Sequence, residues 1–166
     1  MAAQNSFDIT TGVDLQEVDN AVNQANKEVA QRYDFKGAHT SIELDRGAGI
    51  IRLEADDDYR MKALVDVLQS KLVRRGVPLK NAKLGDLDKA SLGRVRQVMT
   101  LTQGIPTDTA REIVKEVKAQ GFKKVQVAIQ GDQLRVTSPS RDALQEVIAF
   151  LRTQDFGVEL QFGNYR

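Results

Sequence analysis

Apolar residues follow two periods along this chain, and the switches between periods mark its elements. "SFDITT" (6–11) reads as a short strand. Asp14 and Glu17 then stand at capping-box spacing. Leu15, Val18, Val22, Ala25, Val29 and Tyr33 recur at steps of three and four, which predicts an amphipathic helix with Tyr33 on its buried stripe. "TSIEL" (40–44) and "IIRLEA" (50–55) alternate on either side of a turn at "DRGAG" (45–49), the pattern of a hairpin. From Asp57, Met61, Leu64, Leu68 and Leu72 form a second helical stripe, closed by "RRG" (74–76). "LKNAKLGD" (79–86) is a poorer fourth strand.

The same succession follows in the second half. "GRVRQVMTLTQ" (93–103) alternates as a strand. "IPTDTAREIVKEVKAQG" (105–121) is a helix with Pro106 near its start and Gly121 at its end. "KKVQVAIQGDQLRVT" (123–137) is a hairpin, with Val125, Val127 and Ile129 alternating into the turn and Leu134 and Val136 out of it. "SRDALQEVIAFLRTQ" (140–154) is a capped helix and "VELQF" (158–162) a last strand. Each half thus reads βαββαβ, the ferredoxin-like order. The predicted class is α+β, with ferredoxin-like domains at 1–92 and 93–166. One-sided alternation implies antiparallel sheets with helices on one face and the other face open.

Composition narrows the chemistry. Lys and Arg number 24 against 23 Asp and Glu, too balanced for a strong polyanion binder. The balance is uneven: residues 1–92 carry 13 basic and 15 acidic side chains, net −2, and residues 93–166 carry 11 and 8, net +3. There is no cysteine, which excludes disulfides and thiolate chemistry. The first residues have neither a basic nor an apolar signal region, and no apolar run is long enough for a membrane span. The expectation is a cytoplasmic protein without membrane contact.

Catalytic candidates are few. His39 is the one histidine, and no serine stands in a nucleophile-elbow setting. The carboxylates of "ADDDYR" (55–60) fit a helix start better than a metal site. Neither a Walker loop nor GxGxxG is present, so a nucleotide would be held by side chains and sheet edges. No catalytic residue, metal or cofactor is expected. Strand positions opposite the apolar ones include Arg94, Arg96, Lys124 and Arg135, a basic sheet face able to meet RNA phosphates but lacking aromatics for base stacking. "RYDFKG" (32–37) reads first as a helix end; yet Arg32, Phe35 and Lys36 also offer a ring face for a base and cations for phosphate. "LQFGNYR" (160–166) offers a similar mixture.

"SFDI", "DLQE", "RYDFKG", "TLTQGI", "VQVAIQGDQLRVT", "SRDALQEVI" and "LQFGNYR" occur in this order over nearly the whole chain. Together they resemble the YajQ family of bacterial nucleotide-binding proteins. The resemblance implies two ferredoxin-like domains that exchange their N-terminal strands, 6–11 and 93–103. It implies binding of nucleotides (cyclic di-GMP, GTP or ATP), or of tRNA or other RNA, and work with a transcription factor, rather than catalysis. The nucleotide-binding residues it suggests are Arg32, Phe35, Lys36, Arg135, Arg141, Phe162 and Arg166, with a base against Phe35 or Phe162. Arg94, Arg96 and Lys124 are the RNA candidates. One departure is "TSPSRD" (137–142), where the family pattern has a TGKxRD-like turn; it leaves Arg135 and Arg141 to compensate for the missing cation.

Overall fold

The computed structural model describes residues 3–166. It is an α+β structure of four α-helices and two antiparallel sheets. The elements are β1 (Asn5–Thr10), α1 (Leu15–Gln31), β2 (Thr40–Asp45), β3 (Ile50–Ala55), α2 (Asp58–Arg74), β4 (Ala82–Leu84), β5 (Asp88–Lys89) and β6 (Val95–Leu101). They continue with α3 (Thr107–Ala119), β7 (Gln126–Gln130), β8 (Gln133–Ser138), α4 (Arg141–Arg152) and β9 (Gln161–Gly163). The chain forms two compact units: residues 13–103, and 104–166 together with the segment up to Gly12. No described helix is long and apolar enough to cross a membrane.

In the 13–103 unit the strand order is β2-β3-β6-β4, with β5 also pairing β6. Ile51, Leu53, Met99 and Leu101 point from the sheet to one side, where they meet Val22, Ala25, Leu64 and Leu68 of α1 and α2. Side chains of opposite sign alternate on the other side. Glu43 lies opposite Arg52, and Glu54 opposite Arg96. Cross-strand pairs of this kind favour one register over a slipped one. Asp14 caps α1 by accepting from the Gln16 N–H at 3.0 Å. Glu17 does not complete the capping box; its carboxylate accepts from Asn20 and pairs with Arg75 at 2.9 Å. Asp57 caps α2. At the other end Gly76 takes a positive φ, its N–H bonds the Val73 carbonyl, and the Val77 N–H bonds that of Leu72, a glycine stop of Schellman type.

In the second unit the order is β7-β8-β1-β9, so β1 is an interior strand paired to β8 and β9. Phe7 and Ile9 of β1 are fully buried with Leu134, Val136, Ile113, Val147 and Leu151. Asp8, between them, therefore faces away from the helices. The last strand begins later than the alternation of 158–162 predicts: Phe156 and Val158 are buried before β9 starts. Beyond β9 the tail stays docked, since Ser6 and Arg166 exchange backbone hydrogen bonds at 3.1 and 3.0 Å.

β6 lies between β3 and β4, and it buries Val95, Met99 and Leu101 at roughly 1.5–3 kcal/mol each. That sum is comparable to the whole stability of a small domain. A fragment of residues 13–103 is therefore expected to melt cooperatively by circular dichroism. A fragment of 1–92, which lacks β6, is expected to show no cooperative transition.

Candidate functional site

The stretch "RYDFKG" begins where α1 stops. Arg32 takes extended backbone angles (φ −83°, ψ 133°), and Tyr33–Phe35 then form one 3-10 turn before Gly37 at φ +74°. The change of direction takes Tyr33 off the helical stripe. Tyr33 is 88% exposed rather than in the core, and Phe35 is only 5% exposed, packed with the core of the 13–103 unit. Phe35 thus presents no face to a base, which corrects the stacking role expected of it. Arg32 is also engaged. Its Nε donates to Asp34 Oδ1 at 2.9 Å, its Nη2 to Oδ2 at 2.6 Å, and Glu28 lies at 3.6 Å. The guanidinium carbon lies 5.2 Å from the centre of the Phe35 ring. The Arg32 hydrogen bonds hold the Asp34 carboxyl below its ordinary pKa. Lys36 alone of the three is exposed without an ion pair among the described residues.

The RNA candidates do not share a face. Arg94 and Arg96 belong to the 13–103 unit, where Arg96 pairs with Glu54 at 3.3 Å and Arg94 lies 3.9 Å from Glu54 and 3.8 Å from Asp56. His39 joins the cluster, its Nε2 3.0 Å from Glu54 Oε1. Lys124 belongs to the other unit, exposed in the turn before β7. The basic face expected across 93–166 is absent because β6 sits in a different sheet from β7 and β8.

Arg135, Arg141, Phe162 and Arg166 all lie in the unit that contains β1. Arg135 stands directly opposite Asp8 and donates to both carboxylate oxygens, at 2.9 and 3.3 Å. Asn164, at φ +52°, donates to Asp8 Oδ2 at 2.7 Å. Asp8 is 5% exposed, and the Arg135 hydrogen bond, followed by that of Asn164, holds its pKa below the ordinary 3.8. Arg135 is therefore not free for a phosphate. The Phe162 and Phe7 rings pack nearly perpendicular with centroids 6.0 Å apart, and the Arg152 guanidinium carbon lies 5.6 Å from the centre of the Phe162 ring. It is half-buried in these contacts. The departing "TSPSRD" turn is a cap: Ser138 Oγ accepts from the Ser140 N–H, Ser140 Oγ from that of Ala143, and Asn5 donates to the Pro139 carbonyl.

Arg141 and Arg166 do come together. They border a cleft of about 320 Å³ with Asn5, Gln145 and Tyr165, floored by Phe7, Leu144 and Ile148. Arg141 and Gln145 are one helical turn apart on α4 and so share a side. Arg141 Nε donates to Asn5 Oδ1 at 3.2 Å. Neither arginine has a carboxylate within ion-pair distance among the described residues. Tyr165 is 60% exposed, and its hydroxyl donates to the Phe162 carbonyl at 3.3 Å. Gln145 was open to detection by its spacing from Arg141, but Asn5 enters only through the pairing of β1 with β8.

The model of the family described as "Nucleotide-binding protein YajQ-like" matches residues 5–166. The chain belongs to the YajQ family. A nucleotide-binding protein of Koribacter versatilis is 49% identical over 99% of this chain and 98% of its own. One of Geotalea uraniireducens is 51% identical over 97% and 98%, and one of Carboxydothermus hydrogenoformans 50% identical over the full length of both.

Two consequences can be measured on this YajQ-family chain. Phe35→Ala should destabilise it by about 3–5 kcal/mol, as for a buried ring, and Tyr33→Ala by less than about 0.5 kcal/mol, as for an exposed one; urea unfolding distinguishes them. Asp8 has a lowered folded pKa, so its contribution is fully present above the ordinary carboxylate value and is lost as pH falls through the lowered one. Asp8→Asn should cost about 1–3 kcal/mol at pH 7. Urea titrations at pH 7 and pH 3 should show a smaller acid-induced loss in this variant than in the wild type.

Proposed function

We infer that the chain is a non-enzymatic receptor for a purine nucleotide, with cyclic di-GMP the leading ligand. The ligand sits beside α4 and the C-terminal tail. The observation that carries this reading is one cleft holding an exposed ring and two arginines that form no salt bridge among the described residues. Its volume lies at the lower end of the range for small-molecule sites. Tyr165 offers a face to the base. Arg141 and Arg166 supply charge-assisted, planar donors to phosphate oxygens or to a guanine edge. Asn5 and Gln145 add amide donors and acceptors at the rim. Arg135 and Phe162 act one layer below, by holding the tail that carries Tyr165 and Arg166. The names of the similar proteins support the ligand class.

RNA is the second reading, and the geometry disfavours it. Its three candidate cations divide between two units, and two of them already face Glu54 and Asp56.

Titration calorimetry with cyclic di-GMP, GTP, ATP and a tRNA tests both readings. At least one nucleotide should bind. Arg141→Ala should weaken it by tenfold or more, because a hydrogen bond to a charged group contributes about 1.5–3 kcal/mol. Tyr165→Ala should weaken it too, and Arg96→Glu should leave it unchanged. No heat from any nucleotide at near-millimolar concentration would overturn the proposal. Tight RNA binding that falls steeply with salt and is lost in Arg96→Glu would replace it.

A further inference from the structure

β7 is an edge strand that lacks the usual protection. Edges are commonly blunted by charge, proline, shortness or a covering element. β4 and β9 are three residues long. β2 carries Glu43 and Asp45, and Asn26 of α1 donates to its Ile42 carbonyl. β7 reads Gln126-Val127-Ala128-Ile129-Gln130, five residues with no charge and no proline. The two-residue turn Gly131–Asp132 makes Gln130 and Gln133 a hydrogen-bonded pair, and so Ala128 with Arg135. The N–H and C=O groups of Val127 and Ile129 therefore point outward. They have no partner among the described residues.

The core is also open along this edge. Val127 and Ile129 lie on the helix side, opposite the buried Val136 and Leu134. Yet Ile129 is 43% exposed. A groove of about 410 Å³ runs between β7 and α3, with Val117, Phe122, Val125 and Val127 along it and Lys118 and Gln126 at its polar margin.

We propose that β7 is a self-association edge, on which a second copy of this chain lays its own β7 antiparallel about a two-fold axis at Ala128. The strand is complementary to itself in that register. Val127 falls opposite the second copy's Ile129, and the outward backbone groups of both exchange hydrogen bonds. Gln126 falls opposite Gln130, amide against amide, and no like charges meet. The two four-stranded sheets become one, and the apolar side chains along each groove are covered by the other copy's Val127 and Ile129. A self-pairing of this kind is isologous and closed, so it stops at the dimer. Only a five-residue strand pairs, a small contact of the kind found in transient complexes, so the dimer forms reversibly with concentration.

The absence of cysteine allows a register-specific test. Ala128 meets Ala128 of the second copy in a non-hydrogen-bonded pair, with Cα atoms about 4.5 Å apart, within disulfide reach. Ala128→Cys should form a covalent dimer under mild oxidation. Gln126→Cys alone should do so at least about tenfold more slowly, since its sulfurs are held beyond bonding distance. A mixture of Gln126→Cys and Gln130→Cys should form mixed dimers. Sedimentation of the wild type should show a monomer–dimer equilibrium that Ile129→Lys abolishes, with circular dichroism unchanged. Cross-linking of Ala128→Cys no faster than Gln126→Cys, or a wild type that stays monomeric at millimolar concentration, would overturn the proposal.

Discussion

Asp8 sits on an interior strand, and its buried carboxylate is held from both sides. Arg135 reaches it from β8, and Asn164 from the segment after β9. A carboxylate this deeply buried costs several kcal/mol to desolvate unless donors surround it. Arg135 and Asn164 supply them, and together they tie three strands to one point. Gly163 stands opposite Asp8 on the β9 side, so no side chain there competes for the space. The C-terminal tail is ordered through this arrangement and through its backbone exchange with Ser6. The cleft depends on it in turn, because the tail carries Tyr165 and Arg166.

Near-neutral composition has a structural counterpart. Most of the conspicuous arginines are compensated by a carboxylate close at hand: Arg32 by Asp34, Arg94 and Arg96 by Glu54 and Asp56, Arg135 by Asp8. Such pairs fix register and chain direction, and they leave little field for a polyanion. Against that background the arginines that form no salt bridge among the described residues carry information. Arg141 and Arg166 share one cleft with an exposed ring. Lys36 is exposed on the turn after α1, and Lys124 borders a wider cleft in which Asp142 and Glu146 supply carboxylates.

Local pattern carried far. The hairpin at 126–138 and the capped helix at 141–152 were legible because alternation, turn residues and caps act over a few neighbours. The errors arose where a local rule met a distant competitor. Tyr33 continues a helical period, but the helix ends at Gln31, and the turn that follows inverts the roles of Tyr33 and Phe35. Arg94 and Arg96 look contiguous with the second hairpin in sequence, yet β6 pairs with β3 and β4. At the candidate site, Arg141 and Arg166 could be named from their chemistry. Arg135 and Phe162 could be named too, but not placed: whether a cation is free depends on which carboxylate the fold brings opposite it.

By itself the sequence determined the order of the main elements, the Asp14 and Ser140 caps, the α+β class and the family, because periodicity, turn chemistry and motif order are properties of neighbouring residues. Tertiary structure decided which strand pairs with which, and hence which charges neutralise one another. It turned "RYDFKG" from an open ring-and-cation cluster into a closed helix end. It moved the open combination to Arg141, Tyr165 and Arg166. The physical reason is that exposure and compensation are set by contacts between residues far apart in the chain, such as Asp8 and Arg135, and no local period records them.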